Sequence, residues 1–188
     1  MAALTPFSTV GPFFRLLVRH RAESADCLVS EATRGERVTI AGRLSAGDGQ
    51  PIDDGLVEIW QADAHGRHQH PDDPERDLAD PAFQGFGRTA TARGGSFSFQ
   101  TIKPGSVPGP DGRPQAPHIL VSVMARGVMS RCWTRLYFEG EPLNETDPVL
   151  RLVPAERRPT LIARRRADGA YEFNVVLQGA GETVFFDA

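Results

Sequence analysis

The sequence predicts an all-β protein: a two-sheet β-sandwich with long functional loops and little helix. Three observations carry that expectation. No stretch of roughly 12 residues or more keeps an apolar period of 3.6. Short runs of alternating apolar residues recur instead, as in Ser96-Phe97-Ser98-Phe99, which puts both phenylalanines on one face. Gly/Asp turn signals separate these runs, and about nine short strands so divided form two packed layers more readily than any helical architecture.

Taken in order, the chain reads as a single domain over 1–188, with an N-terminal arm at 1–36 and the sandwich at 37–188. Glycine and two prolines stiffen Thr5-Pro6-Phe7-Ser8-Thr9-Val10-Gly11-Pro12-Phe13, so this part of the arm is expected to lie against a surface. A short helix is expected over 24–33. Strands are expected at 38–44, 56–61, 96–99, 118–125, 132–138, 149–153, 160–163, 171–177 and 183–186. Ala46-Gly47-Asp48-Gly49, Asp54-Gly55, Arg126-Gly127 and Ala167-Asp168-Gly169 supply turns between them. Residues 65–84 and 103–114 are too long and too polar to be simple turns, and such loops are where sites usually sit.

Composition narrows the function. At 188 residues with 40% hydrophobic and 24% charged side chains, the chain buries a sizeable core without staples. A net charge of −3 excludes whole-molecule attraction to nucleic acid or to an anionic membrane. Cys27 and Cys132 make neither a disulfide framework nor a Cys-x-x-Cys motif, so a reducing, cytoplasmic setting is expected. The apolar run at 13–18 is broken by Arg15 and reads as neither signal peptide nor membrane span. Arg15, Arg19 and Arg21 precede the first acid, Glu23, as in a transit peptide, but that is a matter of composition alone.

Chemistry-bearing residues are few. His65, His68 and His70 lie beside Asp63, Asp72 and Asp73, so divalent-metal ligands are locally available, although a solvated loop would look the same. His118 opens a strand, where a satisfied structural histidine is the plainer reading. Arg157, Arg158, Arg164, Arg165 and Arg166 cluster without interleaved aromatics, which suits a charged strand edge better than a nucleic-acid patch. No nucleophile elbow, phosphate-binding glycine loop or HExxH motif occurs.

Six segments together carry a resemblance: Thr9-Val10-Gly11-Pro12-Phe13, Val57-Glu58-Ile59-Trp60-Gln61-Ala62-Asp63-Ala64-His65-Gly66, Phe86-Gly87-Arg88-Thr89, Thr101-Ile102-Lys103-Pro104-Gly105, Ala116-Pro117-His118-Ile119 and Thr134-Arg135-Leu136-Tyr137-Phe138. In order and spacing the chain resembles the intradiol ring-cleavage dioxygenases. That resemblance implies a site where two tyrosines and two histidines hold non-haem iron(III). Here His68 and Val107 stand where the tyrosines would be, Leu120 replaces one histidine so that only His118 remains, and Gln115 replaces an arginine. Iron(III) favours hard anionic oxygen donors, so no metal ligand and no catalytic residue is expected on this chain.

The resemblance further implies an alpha type of subunit, paired with a beta subunit that carries the iron(III) and acts on a small carboxylated catechol with O2. Thr9, Gly11 and Pro12 would border the substrate, and Arg126 would lie near its carboxylate. Two other functions are compatible with the residues alone. One is an autonomous metalloprotein using His65, His68, His70 and His118, and the other is a non-catalytic ligand-binding or scaffolding sandwich.

Overall fold

A computed structural model describes residues 9–11, 25–109 and 112–187. Its strands are β1 (Arg37–Ser45), β2 (Leu56–Trp60), β3 (Phe86–Ala90), β4 (Ser96–Ile102), β5 (His118–Met124), β6 (Cys132–Phe138), β7 (Ile162–Arg165), β8 (Tyr171–Glu172) and β9 (Val175–Val176). One layer runs β3-β2-β5-β6, antiparallel throughout. The other runs β8-β1-β4, with β9 beside the end of β1. β7 joins the layers, parallel to β6 and antiparallel to β8.

Alternation along each strand decides which side chains meet between the layers. Val57, Ile59, Ile119, Val121, Val123, Leu136 and Phe138 face inward from the first layer. Val38, Ile40, Leu44, Phe97, Phe99 and Tyr171 meet them from the second, and these residues form one continuous core. The Phe138 and Tyr171 rings pack edge to face at 5.0 Å. A smaller apolar cluster of Ala116, Tyr137, Leu150, Val153 and Leu161 lies beneath the loops.

Several sequence expectations are corrected. No helix forms over 25–33; Ala25 pairs with Arg88 on the β3 edge, and Leu28 donates to Gln100 on the β4 edge at 2.8 Å. The segment therefore straps the seam between the two sheet edges, and pairing with waiting edge groups outweighs its local helix preference. The strand expected over 149–153 is a 3₁₀ turn, Leu150–Leu152. Asp147 Oδ1 accepts the N–H groups of Val149 and Leu150, so the turn starts there, and Leu150 and Val153 are both buried.

Residues 158–161 likewise form a 3₁₀ turn before β7 begins. The run 171–177 is broken into β8 and β9, and of 183–186 only Phe186 makes a bridge, to Trp133. β3 was not expected, because Phe86-Gly87-Arg88-Thr89-Ala90 shows no apolar alternation. No helix of the described residues is long and apolar enough to cross a membrane.

Candidate functional site

The outer face of the first layer carries the first of two places of interest. Trp60 stands in register with Leu120, and Leu120 with Arg135, so all three project away from the core. Beyond them the loop at 66–75 and residues Val107, Pro108 and Gln115 form the walls of a cleft of about 650 Å³, lined also by Trp60, with His68 and His70 on the first of these walls. Gly66 permits the walls to meet. Its φ is +80°, and a Cβ there would fall 2.0 Å from the Ser106 carbonyl oxygen.

Buried Asp63 organises the same loop. Its Oδ1 accepts the N–H groups of His65 at 2.8 Å and Arg67 at 3.0 Å, and its Oδ2 accepts that of Asp80 at 2.9 Å. Asp63 is thus occupied by backbone donors. The His68 ring stacks on Trp60 at 5.7 Å and the His70 ring meets Trp60 edge-on at 6.1 Å. His68 N–H donates to Asp73 Oδ2 at 2.6 Å. Burial works against the Asp73 charge, but the backbone donors of His68 and Glu75 outweigh it and lower its pKa.

At the floor, Gln115 accepts from Arg135 Nη1 at 2.7 Å and donates to the Pro108 carbonyl at 3.0 Å. His118 Nδ1 lies 2.7 Å from the Ala116 carbonyl, which only accepts, so Nδ1 carries the proton. Burial, reinforced by Arg135, pushes the His118 pKa down to about 4. Tyr137 is fully buried and donates to Asp147 Oδ1 at 3.1 Å, and burial pushes its phenol up. Neither Tyr137 nor Tyr171, also buried, offers a phenolate to the cleft.

The second place is the turn after β5. Thr9 donates from Oγ1 to the Ala125 carbonyl and accepts the Gly127 N–H, each at 3.1 Å, so one hydroxyl fastens the residues on both sides of Arg126. The Arg126 side chain is 64% exposed and donates through Nε to Asp54 Oδ2. Gly11 is exposed nearby in sequence, and Pro12 lies outside the described residues. At a rise of ~3.3 Å per residue, β5 carries the chain about 20 Å from His118 to Met124, and Arg126 lies in the turn beyond. The structure therefore brings Thr9 to Arg126 and keeps both away from the cleft. A Cβ on Gly11 would meet nothing within 4 Å among the described residues.

The basic cluster is largely absorbed locally. Arg157 donates to the Glu182 carbonyl, Arg158 to that of Val153, and Arg166 pairs with Asp168. Sequence reasoning missed Arg135 and Asp54. Alternation through Trp133, Arg135 and Tyr137 was the signal available for the first, and nothing local marked the second.

A family model described as Dioxygenase matches residues 10–179. The chain belongs to the intradiol dioxygenase family. It is 40% identical to the protocatechuate 3,4-dioxygenase alpha chain of Pseudomonas putida over 97% of this chain and 96% of that one. To the protocatechuate 3,4-dioxygenase beta chain of Burkholderia cepacia it is 36% identical, over 93% of this chain and 75% of that one. Among solved structures, the dioxygenase domain of a dioxygenase and carbohydrate-binding protein fusion from Streptomyces sp. SirexAA-E superposes with a TM-score of 0.63. It is 31% identical, with 94% of this chain and 99% of that one covered.

Intradiol dioxygenases depend on iron. The cleft residues of this family member do not fit that ion. Val107 and Leu120 have no side-chain donor atom and Gln115 is engaged on both sides of its amide; His118 Nε2, left open by the Nδ1–H bond to Ala116, and the His68 ring are imidazole donors without the phenolate oxygens of the pattern the resemblance implies. Among the described residues no three His, Cys, Asp or Glu side chains gather as a metal site would require.

Proposed function

We propose that this chain is the alpha subunit of a protocatechuate 3,4-dioxygenase. It would pair with a beta subunit, and the assembly would cleave protocatechuate with O2 to 3-carboxy-cis,cis-muconate. The observation that carries this reading is a conjunction. The chain matches an alpha chain over nearly its whole length, yet it has valine and a bound glutamine in its own cleft, and leucine on the strand beside Trp60, at positions the resemblance assigns to the iron site. The non-haem iron(III) is accordingly assigned to the beta subunit, where it supplies the oxidative chemistry.

This chain's part is recognition. The Arg126 guanidinium would attract the substrate carboxylate, and Thr9, Gly11 and Pro12 would border the cavity from the alpha side. Such a role suits an exposed arginine on a fastened turn, because a group that serves a neighbour's site must project and must also hold its place. It also explains why the turn lies far from the chain's own cleft.

Co-expression with the beta chain, followed by oxygen uptake on protocatechuate, tests the proposal. The two chains should purify together and consume O2, and neither should do so at that rate alone. A beta chain fully active without this chain, or a mixture inactive on every catechol, would overturn it.

A further inference from the structure

Two turns meet at the Arg126 end of the first layer, and both are fastened in the same way. The Thr9 hydroxyl donates to Ala125 and accepts from Gly127 around Arg126. The hydroxyl of Thr91, itself 1% exposed, donates to the Ile52 carbonyl at 2.7 Å and accepts the Gly55 N–H at 2.9 Å, around Asp53 and Asp54. Gly55 lies in close packing, where a Cβ would fall 2.4 Å from Leu44 Cδ2. Asp54 therefore stands on a rigid support, and its side chain is only 19% exposed where that of Arg126 is 64% exposed.

From this geometry we infer that Asp54 is a positioning residue for Arg126: it anchors the guanidinium by Nε and, among the described residues, leaves the two terminal nitrogens without a partner and so open to a planar carboxylate side by side. The inference rests on the reading of Arg126 given above and adds to it the residue that sets its direction. A long exposed arginine would otherwise disperse over many rotamers and spend part of the binding interaction on being ordered. Engagement through Nε is the arrangement that leaves the outer edge of the guanidinium fork open, and that edge matches the spacing of two carboxylate oxygens. The surface receives a substrate class in this way: catechols that carry an anionic carboxylate, in preference to those that do not.

The test uses the alpha–beta holoenzyme with protocatechuate and with catechol, which lacks the carboxylate. Asp54→Ala should raise KM for protocatechuate about 2- to 5-fold, in keeping with a partly exposed ion pair, with kcat affected less and with a larger loss on protocatechuate than on catechol. Asp54→Glu should recover part of the loss. In an Arg126→Ala background the Asp54 substitution should have no further effect on KM. An unchanged or lowered KM in Asp54→Ala, while Arg126→Ala still discriminates the two substrates, would overturn the positioning role and leave the function of Arg126 standing. Equal losses on both substrates in Asp54→Ala would make Asp54 a purely structural group and overturn it too. If Arg126→Ala itself fails to discriminate the substrates, the reading of Arg126 falls.

Discussion

Thr9 fastens the turn that carries Arg126, through one hydroxyl that donates to Ala125 and accepts from Gly127. Thr9 and the β5–β6 turn are thereby joined, remote in sequence but contiguous in space. The first consequence concerns Arg126 itself. Arg126→Ala in the holoenzyme should lower kcat/KM for protocatechuate roughly 3- to 30-fold, mostly through KM, because a charge-assisted hydrogen bond at a wet cavity mouth contributes ~1 to 2 kcal/mol. Steady-state oxygen uptake on protocatechuate and on catechol measures it. Equal losses on both would remove Arg126 from the substrate's carboxylate.

Thr9→Ala removes both fastening bonds, whereas Thr9→Ser retains them. The alanine variant should raise KM for protocatechuate by about 2- to 5-fold with iron content unchanged, since a net hydrogen bond contributes about 1 kcal/mol or less and the turn is partly held by its own backbone. The serine variant should stay close to the natural protein. If serine and alanine behave alike, the hydroxyl is not what holds the turn.

Much of the fold was legible because alternation is a local property: Phe97 and Phe99 declare the inner face of β4 whatever surrounds them. The failures lie where tertiary partners decide. Residues 25–28 are drawn into strand pairing by the edges of β3 and β4, and β3 itself is held by β2 and that strap despite an unpatterned sequence. The 149–153 run was ambiguous in period until Asp147 capped it. In the site, the replacements at His68, Val107, Leu120 and Gln115 were visible only beside a family pattern. Asp54 could not be seen at all, because its meaning arises when two turns distant in sequence come together.

His118 predicts a pH dependence. Its pKa falls from the usual 6.5 of a free imidazole to about 4 on folding, so between these values the unfolded chain binds a proton that the folded chain does not. Stability from this group is present above pH 6.5 and is lost as pH falls toward 4, by up to about 3 kcal/mol, the partial exposure of the ring reducing that figure. Urea denaturation across this window should show a shallower decline for His118→Gln than for the natural protein. Parallel declines would contradict the assignment. The lowered carboxylates Asp73 and Asp80 act at lower pH, since their stabilisation is lost only as pH falls below the ordinary carboxylate range toward their folded pKa values.

Restoring the family's residues should not restore its chemistry. In the combined variant His68→Tyr, Val107→Tyr, Leu120→His and Gln115→Arg, the arginine would stand where Gln115 now accepts from Arg135, bringing two guanidinium groups together without that acceptor. Such a chain, tested without the beta subunit, should show no oxygen uptake on protocatechuate. Turnover by the isolated variant would mean that the surroundings of the cleft still support a working site.

The location of the iron tests the account most directly. The holoenzyme should be assembled with the natural alpha chain, its subunits separated under mild conditions, and iron measured on each, together with the visible absorption of each fraction. The account predicts that iron and absorption travel with the beta chain, and that the alpha chain carries neither while remaining necessary for protocatechuate turnover. About one iron per alpha chain, with a charge-transfer band on that fraction, would contradict it.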